Sequence, residues 1–139
     1  MKPIYLDYQS TTPTNSDVVK KMMPYFSEVY GNPHSSNHKY GIKASDAIEN
    51  GRKKIAKVIG SDPEEIIFTS GATESNNLAI KGSFLYRFKN HNRKKIIIAS
   101  TEHKCVIEAS NSLTSIGAEV IVIEVNEDGE VNLHQLKDR

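Results

Sequence analysis

Three short apolar runs alternate with segments of helical periodicity in the middle of the chain. The runs lie at Glu65–Thr69, Ile96–Ala99 and Val120–Ile123, and runs of this length are typical of buried strands. Apolar residues recur at helical spacing after Gly71 and again after His103. We therefore predict strand, helix, strand, helix, strand, which is the order of parallel βαβ units with both faces of the sheet covered.

Two further helices are predicted before the first of these strands. Ser16 is the expected N-cap of a helix that runs to about Tyr25. The stretch Gly31–His38 is rich in turn-forming residues and is expected to be a loop. A second helix is predicted over Tyr40–Ile59, and Gly60 should end it.

The turn between the first apolar run and the following helix is a candidate phosphate site. The first N–H groups of a helix lack partners within it and carry partial positive charge, so an anion binds well there. Gly71 would allow close approach, and the hydroxyls of Ser70 and Thr73 could donate further hydrogen bonds. The alternative is that these two hydroxyls only cap the helix. The pattern alone leaves both interpretations open.

Composition narrows the class of protein. The chain has 139 residues, and Lys+Arg 18 against Asp+Glu 17 leaves a formal charge of +1, so no overall field attracts nucleic acid or an anionic membrane. The basic run Lys89–Lys95 lacks the interleaved aromatic residues that stack on bases. The N-terminus has no apolar signal region, and no apolar run reaches membrane-spanning length. We expect a cytoplasmic protein that binds neither nucleic acid nor membrane.

The single cysteine and the histidines indicate no metal site. Cys105 is the only cysteine, which excludes an internal disulfide and suits a reducing compartment. Lys104 and His103 could activate its thiolate, but we favour a small, partly buried packing residue. Four histidines have no carboxylate or cysteine partners at metal-ligand spacing, namely His34, His38, His91 and His134.

Four motifs together resemble one known family. The chain resembles the N-terminal part of the cysteine desulfurases of the NifS/IscS type, within the class-V aminotransferases, which have the type I pyridoxal-phosphate fold. The motifs, in order, are Tyr5–Tyr8 with Thr11–Pro13, Gly31–Pro33 with His38, Phe68–Ser75 with Asn77, and Thr101–Lys104.

The resemblance implies a cofactor and roles for three residues. Members of the family use pyridoxal 5'-phosphate to take sulfur from L-cysteine, leaving L-alanine and an enzyme persulfide that supplies iron–sulfur cluster assembly. Ala72 and Thr73 match the positions that hold the cofactor phosphate. His103 matches the histidine that stacks on the pyridine ring and transfers protons. Cys105 does not match the persulfide cysteine.

The resemblance also implies that essential groups are missing from these 139 residues. The Schiff-base lysine, the aspartate at the pyridine nitrogen and the persulfide cysteine belong to later segments of the family fold. We therefore expect a truncated, incomplete α/β fold that is inactive alone. Residues 1–40 would be an N-terminal segment near the active-site entrance, and residues 41–139 part of the cofactor-binding domain. A second chain could complete a split enzyme, the chain could form a homo-oligomer, or it could be a non-catalytic binding module.

Overall fold

The computed structural model describes residues 3–137, which contain six α-helices and two strands. Single 3-10 turns lie at Pro63–Glu65 and Thr114–Ile116. Residues up to Ile67 form one compact unit and those from Phe68 form a second. The elements are α1 (Ser16–Met22), α2 (Pro24–Ser27), α3 (Lys39–Ile59), α4 (Ala72–His91), β1 (Lys95–Ala99), α5 (Lys104–Asn111), β2 (Glu119–Ile123) and α6 (Leu133–Lys137).

Short polar contacts set the ends of the helices in the first unit. The side chain of Asn15, rather than that of Ser16, caps α1 by accepting a hydrogen bond from the Asp17 amide, so the predicted cap was wrong by one residue. Nδ1 of His38 caps α3 by accepting from the Gly41 amide at 3.1 Å. Gly60 ends α3 in the left-handed region at φ 71°, as predicted, because this conformation carries no steric penalty for glycine.

The N-terminal turn of α3 packs directly against the backbone of the preceding loop. Gly41 is buried, and a Cβ at this position would overlap the backbone carbonyl of Ser35 and lie 2.7 Å from that of Asn32. A Cβ at Gly31 would likewise overlap the carbonyl group of Tyr40. Glycine is required at both positions because backbone meets backbone there, with no room for a side chain.

The second unit contains the predicted parallel sheet, reduced to two strands. β1 and β2 pair in parallel with Lys95 opposite Glu119 and Ala99 opposite Ile123. Helix α5 connects them, which confirms the predicted strand–helix–strand unit over this part of the chain. Gly117 precedes β2 in the left-handed region at φ 99°.

The predicted strand at Glu65–Thr69 is wrong for this chain. A 3-10 turn occupies Pro63–Glu65, and residues 66–69 have no regular structure. The carbonyl of Ile66 accepts a hydrogen bond from the guanidinium of Arg52 instead of a strand amide. A strand needs a neighbouring strand to pair its backbone groups, and none among the described residues pairs with this segment.

Each face of the sheet is only partly covered by the described residues, so the prediction of two covered faces was also wrong. Ile98 and Ile123 are buried, at 8% and 1% exposure, whereas Ile97 and Val122 remain 40% and 44% exposed. Successive residues of a strand point to opposite faces, and Ile98 lies opposite Val122 while Ala99 lies opposite Ile123, so each face carries one buried and one exposed side chain. The adjoining core is formed by Phe84, Leu113 and Ala118, with Ile80, Phe88 and Ile96 packed against it.

The apolar stripe of α3 lies mostly at the surface. Ala44 and Ala56 are buried, but Ile55 is 42% exposed and Val58 85%. The periodicity predicted the helix correctly, whereas the packing that such a stripe requires is not supplied by the described residues. None of the helices within residues 3–137 combines the length and apolar character needed to cross a bilayer.

Candidate functional site

Helix α4 begins with a group of amides that have no partner inside the helix. Gly71 is its N-cap, and the first helical hydrogen bond runs from the Ser75 amide to the Gly71 carbonyl. The N–H groups of Ala72, Thr73 and Glu74 therefore precede the helical ladder. A Cβ at Gly71 would meet nothing within 4 Å, so the chain itself leaves space at this turn. Three orphan amides beside open space form a suitable site for an anion.

The hydroxyls of Ser70 and Thr73 do not cap α4, so that alternative was wrong. The Glu74 carboxylate reaches back, and Oε2 accepts from the hydroxyl and the amide of Ser70 at 2.7 and 2.6 Å. These two hydrogen bonds lower the pKa of Glu74 below its usual value, and the bond from the Ser70 hydroxyl has the larger effect. These contacts hold the turn in place through a carboxylate that is ionised at neutral pH.

Thr73 presents an uncommitted hydroxyl at the start of α4. Its carbonyl accepts a hydrogen bond from the Asn77 side chain at 2.9 Å, which uses the backbone only. Its Oγ1 has no hydrogen-bond partner within residues 3–137. By contrast, the hydroxyls of Thr69 and Ser75 bond to each other at 2.7 Å. Thr73 thus keeps a donor available for a ligand.

His103 lies at the second predicted position, where the segment after β1 enters α5. It is the N-cap of α5 with extended backbone at φ −62° and ψ 146°, and the residue is exposed. Nδ1 accepts a hydrogen bond from the Cys105 amide at 3.2 Å. The ring is held through one nitrogen while the rest of it remains accessible.

An open cleft of about 390 Å³ between α4 and α5 brings Thr73 and His103 together. Ala72 does not line it, so the structure unites two of the three predicted site residues in one cavity. We call this cavity the α4–α5 cleft; its lining residues are Thr73, Asn77, Lys81, His103, Lys104, Cys105, Glu108 and Ala109. Lys81 and Lys104 add positive charge, and Glu108 adds one negative charge.

Cys105 has polar partners that the sequence did not predict. Its Sγ lies 3.0 Å from Nδ1 of His103 and accepts a hydrogen bond from Nδ2 of Asn76 at 3.1 Å. The residue is half-buried, so the predicted partial burial is correct while the purely packing role is incomplete. The His-x-Cys spacing at a helix start was the available signal, but the reach of Asn76 depends on how α4 packs against α5.

The residues of the cleft fit a phosphorylated aromatic cofactor. Orphan amides, the Thr73 hydroxyl and the Lys81 ammonium are donors that suit a phosphate. An exposed imidazole at the opposite wall offers a flat face for a ring. In the part of the chain that the structure describes, no group of three or more His, Cys, Asp or Glu residues could hold a metal ion.

Comparison with known proteins gives consistent similarities across nearly the whole chain. Residues 4–139 match the family Aminotransferase class-V. The chain is 52% identical over 136 residues to a mitochondrial cysteine desulfurase of Eremothecium gossypii, covering 98% of this chain and 27% of that protein. It is 48% identical to the cysteine desulfurase IscS of Rickettsia prowazekii, covering 98% and 33%.

Solved structures agree in fold. A NifS-like protein superposes with a TM-score of 0.83 at 38% identity, covering 93% of this chain and 35% of that one. DndA from Streptomyces lividans gives a TM-score of 0.79 at 34% identity, covering 98% and 37%. The chain therefore spans about a third of the length of the proteins it matches.

These similarities confirm the family predicted from the four motifs and its α/β fold. They do not test the roles of individual residues, the division at residue 40 or the interaction partners, which stay predictions. Relatives with mitochondrial names occur among the matches, so a cytoplasmic location also stays a prediction.

Proposed function

Because this chain belongs to the class-V aminotransferase family, we propose that it forms the cofactor-holding wall of a cysteine desulfurase site. In this proposal the start of α4 holds the phosphate of pyridoxal 5'-phosphate, and His103 packs against its ring. The observation that carries the proposal is the α4–α5 cleft, which Thr73 and His103 line together.

The phosphate position is supported by the donors at the start of α4. The amides of Ala72 and Thr73 lie before the first helical hydrogen bond, and the Thr73 hydroxyl adds a side-chain donor. A helix N-terminus favours an anion by about 0.3–1 kcal/mol, and by up to ~2 kcal/mol in good geometry. A hydrogen bond to a charged group contributes about 1.5–3 kcal/mol, so the Thr73 hydroxyl adds an amount at least comparable with that of the helix terminus.

The ring position is supported by the exposure and attachment of His103. Its backbone is fixed as the N-cap of α5, and Nδ1 accepts from the Cys105 amide. The remaining ring surface faces solvent in the cleft, where a planar group can stack on it. Nε2 would then hold the proton available to a reacting group.

The chemical step needs groups that lie in later segments of the family fold than those matched by residues 4–139. Bound pyridoxal phosphate supplies an electron sink for cleaving bonds at the substrate carbon, while the residues of this chain bind and orient the cofactor. The Schiff-base lysine and the persulfide cysteine come from polypeptide beyond these residues, in the same chain or in a second one. On this view the chain alone has no desulfurase activity.

Cofactor binding can be tested on the chain itself. We expect weak, saturable binding of pyridoxal phosphate, measured by absorbance and by equilibrium dialysis. Replacing Thr73 with valine, which removes the hydroxyl at nearly constant volume, should weaken binding about tenfold or more, since one hydrogen bond to a charged group is lost. Thr73→Ser keeps the hydroxyl and serves as the matched control.

Two further measurements separate the alternatives. Borohydride treatment followed by intact-mass analysis should detect no covalent cofactor–lysine bond in this chain, and a reducible adduct would contradict the assignment of that lysine to another segment. Sulfide release from L-cysteine should appear only when polypeptide with the lysine and cysteine segments is added. If inorganic phosphate binds as tightly as pyridoxal phosphate, a simple anion-binding module is favoured instead.

A further inference from the structure

Two atoms of Cys105, its backbone nitrogen and its Sγ, lie within hydrogen-bond distance of one nitrogen of His103. The backbone amide of Cys105 donates to Nδ1 at 3.2 Å, and its Sγ lies 3.0 Å from the same atom. On the other side, Nδ2 of Asn76 donates to Sγ at 3.1 Å. The three side chains form a continuous hydrogen-bonded row from α4 to the wall of the cleft.

The donors in this row determine where the imidazole proton lies. A backbone N–H can only donate, so Nδ1 of His103 must present its lone pair, and a neutral ring then carries its proton on Nε2. Because the Asn76 amide donates to Sγ, the S–H of Cys105 is the group left to point at Nδ1. We propose that Cys105 is a positioning residue for His103, one that keeps Nδ1 as the acceptor and Nε2 as the nitrogen with the proton.

This arrangement would affect the reaction by fixing the orientation of the His103 imidazole. Two donors on one nitrogen oppose rotation of the imidazole and exchange of its two tautomers. The accessible edge of His103 would then always offer Nε2–H to a group in the cleft. The catalytic meaning of this inference rests on the proposed function, whereas the tautomer itself does not require a cofactor.

The tautomer can be measured directly in the chain without ligand. Nitrogen-15 labelling of histidine, with NMR above the titration range of imidazole, distinguishes Nδ1–H from Nε2–H by their shifts. We expect His103 to be mainly Nε2–H in the unmodified chain. Cys105→Ala, which removes only the thiol donor, should lower the Nε2–H to Nδ1–H ratio about fivefold, the effect of one ordinary neutral hydrogen bond.

A conservative variant and internal controls keep this test decisive. Cys105→Ser retains a donor and should restore the ratio to within about twofold of the original, on the same hydrogen-bond scale. His91 and His134 report from the same spectra and should not change. An Nδ1–H form in the unmodified chain, an unchanged ratio in Cys105→Ala, or failure of serine to restore it would each overturn the proposal.

Measuring pyridoxal phosphate binding separately distinguishes this inference from the proposed function. If the tautomer shifts as expected but the unmodified chain fails to bind the cofactor, only the proposed function fails. If the cofactor binds and the tautomer does not respond to Cys105, only the positioning role fails.

Discussion

Replacing Gly41 with alanine should destabilise the chain, although alanine is the better helix former. The added methyl group would overlap the Ser35 carbonyl and lie 2.7 Å from that of Asn32. Both atoms belong to backbone, so neither can rotate away as a flexible side chain would. Overpacking of this kind costs about 1–3 kcal/mol, and we expect the upper part of that range because Gly41 is buried.

Gly51, ten residues along the same helix, provides the matched control. A Cβ at Gly51 would meet nothing within 4 Å, so Gly51→Ala should gain only the benefit of helix propensity, about 0.5–1 kcal/mol. The two variants make the same chemical change in the same helix, yet their effects on the free energy of unfolding should have opposite signs.

Urea unfolding followed by circular dichroism measures the free energy of unfolding of both variants, and hydrogen exchange of the α3 amides tests the effect within the helix. The two variants should differ by about 2 kcal/mol or more in free energy of unfolding. A Gly41→Ala chain as stable as Gly51→Ala would refute the close backbone packing on which the expectation depends.

Two further predictions concern substitutions in the second unit. Glu74→Gln should lower the protection of the first α4 amides at neutral pH. Because the pKa of Glu74 is lowered in the folded chain, its stabilisation is present above the usual pKa of a glutamate and is lost as the pH falls through the lowered pKa. Hydrogen exchange measured against pH should therefore show the two chains converging in acid, and a constant difference would contradict this. Ile123→Ala should cost about 2–5 kcal/mol in urea unfolding because Ile123 is 1% exposed. Val122→Ala, at a 44% exposed position, should cost under about 1 kcal/mol, and equal losses would mean that Val122 is packed as tightly as Ile123.

Local signals predicted the end of α3 well because it depends on nearby chemistry: Gly60 adopts the left-handed conformation there, which glycine tolerates without steric cost. The helix predicted from Ser16 to about Tyr25 is instead two helices, α1 and α2. The resemblance assigned Thr73 and His103 to the same cofactor, and the α4–α5 cleft contains both residues. The family could be identified from the sequence because the four motifs occur in the order found in the family.

Most of the incorrect predictions concern contacts between distant residues. The apolar run at Glu65–Thr69 has the composition of a strand, but regular pairing requires a partner that the described residues do not supply. Exposure of Ile97 and Val122 has the same cause. The bond from Asn76 to Cys105 depends on the packing of α4 on α5, which no local pattern encodes.

The segment from β1 to β2 can complete its own pairing while the rest of the protein is still being made. Its strands pair from Lys95 with Glu119 to Ala99 with Ile123, and the entropy cost of closing such a loop grows only slowly with length. Synthesis adds about 5–20 residues per second, whereas helices form in about a microsecond. Once Ile123 has been synthesised, this strand–helix–strand segment therefore has time to form its pairing before the residues that follow it in the chain are added.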